Sequence, residues 1–213
     1  MSPQRLLPLS GVVFLLLAIA GFMIAGDTPR SDASAEAVAT FYADNYSNGI
    51  VASYVLAWAA PFLVVFGAVL GTTFWRSGAD SAPVFPVVLI SGAVISATGF
   101  LAAGALHFAV SEGGKHDYSA QTLHSLSALD QDAQVIFTGG LGILLLGAAG
   151  VLVPCAGVYR WLGWTGLVLG VGIYIPFGVG LIAVALTAVW VATTSVVLTV
   201  RGRPGPTEAA GAF

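Results

Sequence analysis

The sequence predicts an all-α polytopic transmembrane helical bundle of six spans, with short amphipathic helices in its two larger outer loops, and three observations carry that expectation. Apolar residues make up 57% of the 213-residue chain and charged ones only 8%, with a mean hydropathy of +0.93. Soluble domains average roughly 45–50% and 25%, so these charges are too few to cover a water-exposed surface. The apolar residues fall in long charge-free blocks, each near the ~20 residues that a helix needs to cross hydrocarbon. Arginine recurs at alternate block ends, as lysine and arginine do in cytoplasmic loops.

The first block, residues 6–26, follows Arg5. Ala18-Ile-Ala20 has the look of a signal-peptide cleavage site, yet the apolar run continues to Gly26 and outlasts a signal core, so a retained span is expected. In the loop that follows, Asp32 is the expected helix cap, Glu36 suits the first turn and Asn48-Gly49 reads as a stop. Val38, Phe41, Tyr42 and Tyr46 share one face, giving an amphipathic helix at the interface or packed on the bundle. Asn45-Tyr-Ser47 fits a glycosylation sequon, which matters only in a eukaryotic secretory pathway.

The second span, 50–75, contains Pro61, expected to kink it. In the third, 84–110, Ser91 and Thr98 are seven residues apart on one face, while Ser96 points to the side that carries Ala103 and His107. The next loop opens with Glu112-Gly-Gly-Lys-His-Asp117, read as a flexible turn, and continues as a short helix over 118–130 with Leu123, Leu126 and Leu129 as its apolar stripe. Span four, 133–155, is lean in side chains through Gly139, Gly140, Gly142, Gly147 and Gly150. Cys155, the only cysteine, ends it and excludes an internal disulfide.

Residues 161–200 carry no charge and are twice a span in length. Tyr174-Ile-Pro-Phe-Gly178 supplies a helix breaker and a turn former, which divides them into 161–176 and 178–200. Six spans from a cytoplasmic N-terminus place Arg5, Arg76, Arg160, Arg201 and Arg203 inside and only Arg30 and Lys115 outside. A single closing span would reverse the last two arginines. Both termini are therefore expected in the cytoplasm, with 201–213 as a disordered tail of one 213-residue transmembrane domain.

Several chemistries fail on the residue inventory. The acids fall in loops or the tail, so the spans lack the carboxylates of ion-coupled pumps. The only lysine, Lys115, is in a loop and excludes an intramembrane retinal Schiff base. Of the histidines only His107 lies at a span, which disfavours bis-histidine haem ligation within one chain. A metal site from His107, His116, Asp117 and His124 would need convergence that gaps of nine and eight residues do not encode. No nucleotide loop, catalytic-triad signature or basic run occurs, so nucleic acid is not an expected partner, no cofactor is expected, and an enzyme is the weaker class. Ser91 and Thr98 in span three, with Thr187, Trp190 and Thr194 along one face of span six, are the candidate lining of a ligand pocket, although hydroxyls on membrane helices more often serve packing. Gly67-Ala-Val-Leu-Gly71 and Gly166-Leu-Val-Leu-Gly170 allow close helix approach, within the chain, in a homo-oligomer or against another membrane protein; lipid is the remaining expected partner.

Tyr159-Arg-Trp-Leu-Gly-Trp164, together with the segment Ala35-Glu-Ala-Val-Ala-Thr-Phe-Tyr-Ala-Asp44 and the closing Trp190-Val-Ala-Thr-Thr-Ser195, resembles a broad family of uncharacterised bacterial six-span membrane proteins. The resemblance covers most of the chain as layout. It implies six spans and a plasma-membrane location, and it brings no catalytic residues. The expected function is a non-catalytic accessory or small-ligand-binding component. A transporter or flippase of a neutral or apolar solute competes with it, and a metal- or haem-dependent membrane enzyme comes third.

Overall fold

A computed structural model describes residues 5–30, 32–75, 84–116, 118–176 and 178–201. A 3-10 turn at Leu7–Leu9 leads into α1 (Ser10–Ala25), followed by α2 (Ala35–Asp44), α3 (Tyr46–Trp75), α4 (Val84–Lys115), α5 (Ala120–Asp132), α6 (Gln134–Leu152), α7 (Val158–Gly172) and α8 (Gly178–Arg201). No strand occurs among the described residues. Five helical stretches are long and apolar enough to cross a membrane, and the protein is a membrane-embedded helical bundle. Its exterior agrees: Leu16, Ile19, Met23, Val168, Leu181, Ile182 and Val189 are exposed, a belt that water would not tolerate and lipid requires.

The helix of the fifth expected span is the short one. At 15 residues α7 is about 22 Å long, less than the ~30 Å of a hydrocarbon core. It nevertheless follows α6 antiparallel for most of that helix, from Gly163 against Val153 to Gly170 against Leu146, and the turn beyond it places the Tyr174 hydroxyl 2.8 Å from the Gly139 carbonyl. The chain reverses at Ile173–Pro176, where the proline–glycine signal lies, and α8 returns alongside α7. Trp190 ties the pair, its Nε1 donating to the Leu162 carbonyl at 2.9 Å.

The six long helices close a ring in the order α1, α3, α4, α6, α7, α8, each packed on the next and α8 on α1. Its core is Phe14, Leu63, Phe66, Leu70, Leu89, Ala93, Phe100, Leu144, Leu145 and Trp190. The glycines are what let the helices approach. Gly67 faces Ala93, Gly71 faces Ile90 and Pro86, and Gly92 and Gly147 of α4 and α6 face the backbone of Leu144 and Leu89. Gly166 and Gly170 face Leu145, so both GxxxG pairs serve packing inside this bundle.

At one end α2 and α5 fold over α4 and form a second small core of Val38, Tyr42, Val110 and Leu123. We refer to this as the capped end; Arg5, Arg160 and Arg201 lie at the other.

Helix limits there differ from expectation. The cap of α2 is Ser34, not Asp32: its extended backbone lets Oγ accept from Ala37 N at 3.2 Å. Asn48-Gly49 does not stop a helix, because α3 already begins at Tyr46 and the bare Gly49 backbone lets Ser111 of α4 come close. Gly113-Gly114 is not a flexible turn either. Helix α4 runs through both to Lys115, and a side chain on Gly113 would meet Tyr118 and Leu123, one on Gly114 the backbone of Tyr42. The helix of the second loop starts at Ala120, capped by Ser119, and α6 follows after Ala133 alone. Pro61 stands inside α3, which continues past it. Arg76 and the tail beyond Arg201 lie outside the described residues.

Candidate functional site

The capped end brings His107 and Asp130 together across 23 residues. Helix α4 carries His107 on its inward face, one turn before Ser111 and Val110, all three buried. Helix α5 buries Leu123 and Ser127, and one turn on from Ser127 the same face presents Asp130. The distance from His107 Nδ1 to Asp130 Oδ2 is 2.9 Å, with side-chain exposures of 6% and 15%. An ionised Asp130 makes Nδ1 the donor. The other ring nitrogen, Nε2, is buried without a hydrogen-bond partner among the described residues and lies 3.8 Å from where a side chain on Gly49 would begin.

Tyr42 of α2 stacks edge-on against the imidazole, ring centroids 5.8 Å apart. Burial pushes its phenol up to about 12; a hydrogen bond with Ser127 works against that shift and the Asp130 charge adds to it. The phenol is therefore a neutral wall of the pair. Farther out, Tyr46 donates to Glu112 Oε1 at 2.7 Å, Glu112 Oε2 lies 3.1 Å from His116 Nε2, and Lys115 Nζ sits 4.4 Å from the Tyr46 ring centroid. These contacts latch α3 to the end of α4.

Beside the His107–Asp130 pair is a cavity of about 200 Å³. Its wall comprises Phe22, Ala25, Gly26 and Thr28 at the end of α1, Gly99, Phe100, Ala103 and His107 of α4, Leu56 of α3, and Asp130, Gln131, Gln134 and Phe137 across the α5–α6 junction. Gln131 is fixed by its own bond, Nε2 to the Pro29 carbonyl at 2.9 Å. The floor is aromatic and the rim polar. Phe22, Phe100 and Phe137 also line a second, apolar crevice of about 180 Å³ between α1 and α8, so the three rings partition two spaces.

Other candidate residues are dispersed. Ser91 and Thr98 are exposed on the outer side of α4, Thr98 bonded back to the Val94 carbonyl, and neither lines these cavities. Thr187 is buried at the apolar crevice and bonded to the Ala183 carbonyl. Trp190 closes a groove between α7 and α8, and the buried Thr194 hydroxyl finds no partner among the described residues. The hydroxyl faces of spans three and six are thus not brought to one pocket. The histidines separate likewise: His107 pairs with Asp130, His116 with Glu112, and Asp117 lies outside the described residues. No three His, Cys, Asp or Glu side chains among the described residues converge to hold a metal ion.

Asp130 is the residue of the candidate site that sequence reasoning missed. A signal existed, since Asp130 follows Leu123 by seven residues and so falls on the apolar stripe of its helix, where an acid calls for a partner. No family model matches the sequence, and no curated protein or solved structure is significantly similar to it.

Proposed function

We propose that the chain is a non-catalytic, small-ligand-binding protein of a bacterial plasma membrane, threaded with both termini in the cytoplasm and with its capped end outside. The observation that carries the ligand-binding reading is the cavity of about 200 Å³ with an aromatic floor and a polar rim at that end. Such sites, mostly apolar with a few fixed polar groups, are the usual form of small-molecule pockets. The arginine distribution favours the threading.

The His107–Asp130 pair has the base-and-orienter form of hydrolytic enzymes. Here the free nitrogen that would take a proton is buried against α3 and the nearby Ser111 hydroxyl donates to the carbonyl of His107 itself at 2.8 Å. With its proton given to that carbonyl, the Ser111 hydroxyl is not bonded to the imidazole, which favours a positioning role for His107.

The transporter reading draws on the apolar crevice behind the three phenylalanines. Towards the arginine-bearing end, Leu63, Phe66 and Leu70 are fully buried in the core, which leaves that route closed in this conformation.

The test is a thermal-shift screen of the detergent-purified protein with compact cations, anions, sugars and aromatic neutrals, run beside an Ala103→Phe variant that fills the cavity. Ligands stabilising the wild type and not the variant are expected. Equal shifts in both proteins, or none from any class at millimolar concentration, would refute the pocket.

A further inference from the structure

We propose that the capped-end cavity takes a small organic cation, an amine or quaternary ammonium with a compact apolar body, with Asp130 as its anionic partner and Phe22, Phe100 and Phe137 as its apolar wall. The inference rests on the cavity being a ligand site, and it adds the sign of the charge.

Among the described residues, Asp130 and His107 are the only ionisable ones that line the cavity; Thr28, Gln131 and Gln134 are neutral, and no described lysine or arginine contributes. His107 engages one carboxylate oxygen, Oδ2. The other, Oδ1, takes no hydrogen bond from a described residue and is not sealed from its surroundings, unlike the fully buried Nε2 of His107. One oxygen is thus fixed and the other is open to a donor. The Gln131 amide gives one N–H to Pro29, and its carbonyl oxygen remains as a further acceptor at the rim.

The three possible signs of ligand can be compared. An anion would meet Asp130 with nothing positive to offset it. A neutral apolar ligand would strip water from a carboxylate and return no partner, which is costly. A cation does both jobs, pairing with the carboxylate while its alkyl groups lie against aromatic rings, whose faces attract cations in their own right. His107 acts here as a positioning residue that holds the carboxylate against the wall.

The wider field has the same sign. Asp27, Asp32, Glu36, Asp44, Glu112, Asp130 and Asp132 belong to the segments of this end, against Arg30 and Lys115 as the basic residues. Such an excess raises the local concentration of cations and repels anions. Size sets the other limit: about 200 Å³ is below the ~300–1,000 Å³ of pockets for drug-sized ligands, so the body must be compact.

Choline and its uncharged isostere 3,3-dimethylbutan-1-ol, matched in shape, separate charge from fit. Titrated into the purified full-length protein and read by calorimetry, choline should bind at least about tenfold more tightly. Asp130→Asn keeps an oxygen for the His107 N–H and removes the charge; it should bring the two ligands to within about threefold, mostly by weakening choline. Retained binding of the neutral isostere by Asp130→Asn shows that this variant is folded. Equal affinity of the wild type for both ligands, or preference for the isostere, overturns the cation assignment and leaves the pocket standing. Failure of both ligands to bind the wild type removes the proposal, and the screen above then decides whether the pocket survives.

Discussion

At the residue scale, Tyr42 offers a measurement that is independent of any ligand. Its phenol is almost wholly buried beside Asp130 and titrates near 12, whereas an unfolded chain exposes a tyrosine of about 10. A group whose folded-state pKa is raised contributes stability that is complete below pH 10 and is lost as pH climbs towards 12, because only the unfolded form then gains by ionising. The capped end should therefore loosen over that interval. Tyrosinate absorbance near 295 nm should show a tyrosine titrating near pH 12 that disappears in Tyr42→Phe, distinct from the raised Tyr46 held by Glu112, and the absence of such a loss in Tyr42→Phe would contradict the buried packing. His107 was singled out in the sequence by its place at a span boundary, on the side carrying Ala103, and Ala103 does line the cavity with it. Its partner was obscure because hydrogen bonding across 23 residues depends on how α5 folds back, which spacing along a chain does not encode.

At the scale of elements, two of the misread helix limits, at Gly49 and at Gly113-Gly114, lie where glycine has two meanings. Pro176 acts as the breaker at the α7–α8 reversal, and Gly178 opens α8. Gly113-Gly114, with the same apparent message, stays helical because the neighbours fill the space where side chains would be. Local flexibility and close approach are written with the same residue, and only the packing partner distinguishes them. The α4–α6 contact gives a quantitative form to this distinction. A Cβ on Gly92 would lie 2.6 Å from the Leu144 Cα and 2.8 Å from the Ile143 carbonyl carbon, atoms of a backbone that cannot turn aside. Gly139, in the same helix as that backbone, has nothing within 4 Å of its Cβ position. Gly92→Ala should cost about 1–3 kcal/mol as overpacking, and Gly139→Ala should stay within about 0.5 kcal/mol of the wild type. Unfolding in mixed micelles with increasing denaturing detergent measures both; a neutral Gly92→Ala would mean that the two helices are farther apart than described.

At the scale of the whole molecule, the shortest helix of the ring is the one on which the threading depends. Helix α7 is too short to be recognised as a span by length, yet without its traverse α8 would start at the arginine-bearing end and finish with Arg201 at the capped end. The ring order removes that option, since Gly163, Gly166 and Gly170 keep α7 against α6 and the reversal sits at the level of Gly139. The charge pattern in the sequence and the packing of α7 both support the proposed threading with an even number of crossings, for different physical reasons: one is the bias of arginine against translocation, the other the fit of bare helix faces. A shorter helix can be accommodated where neighbours and flanking tryptophans relieve the mismatch, and the exposed Trp161 and Trp164 of α7 are suited to the membrane boundary. Two exposed arginines test the result, Arg30 after α1 and Arg160 in the first turn of α7. In a Cys155→Ala background, Arg30→Cys should react with a membrane-impermeant maleimide in intact cells, and Arg160→Cys only after permeabilisation. The same protection for Arg30→Cys would invert the molecule in its membrane, and reaction of both in intact cells would mean that α7 does not cross.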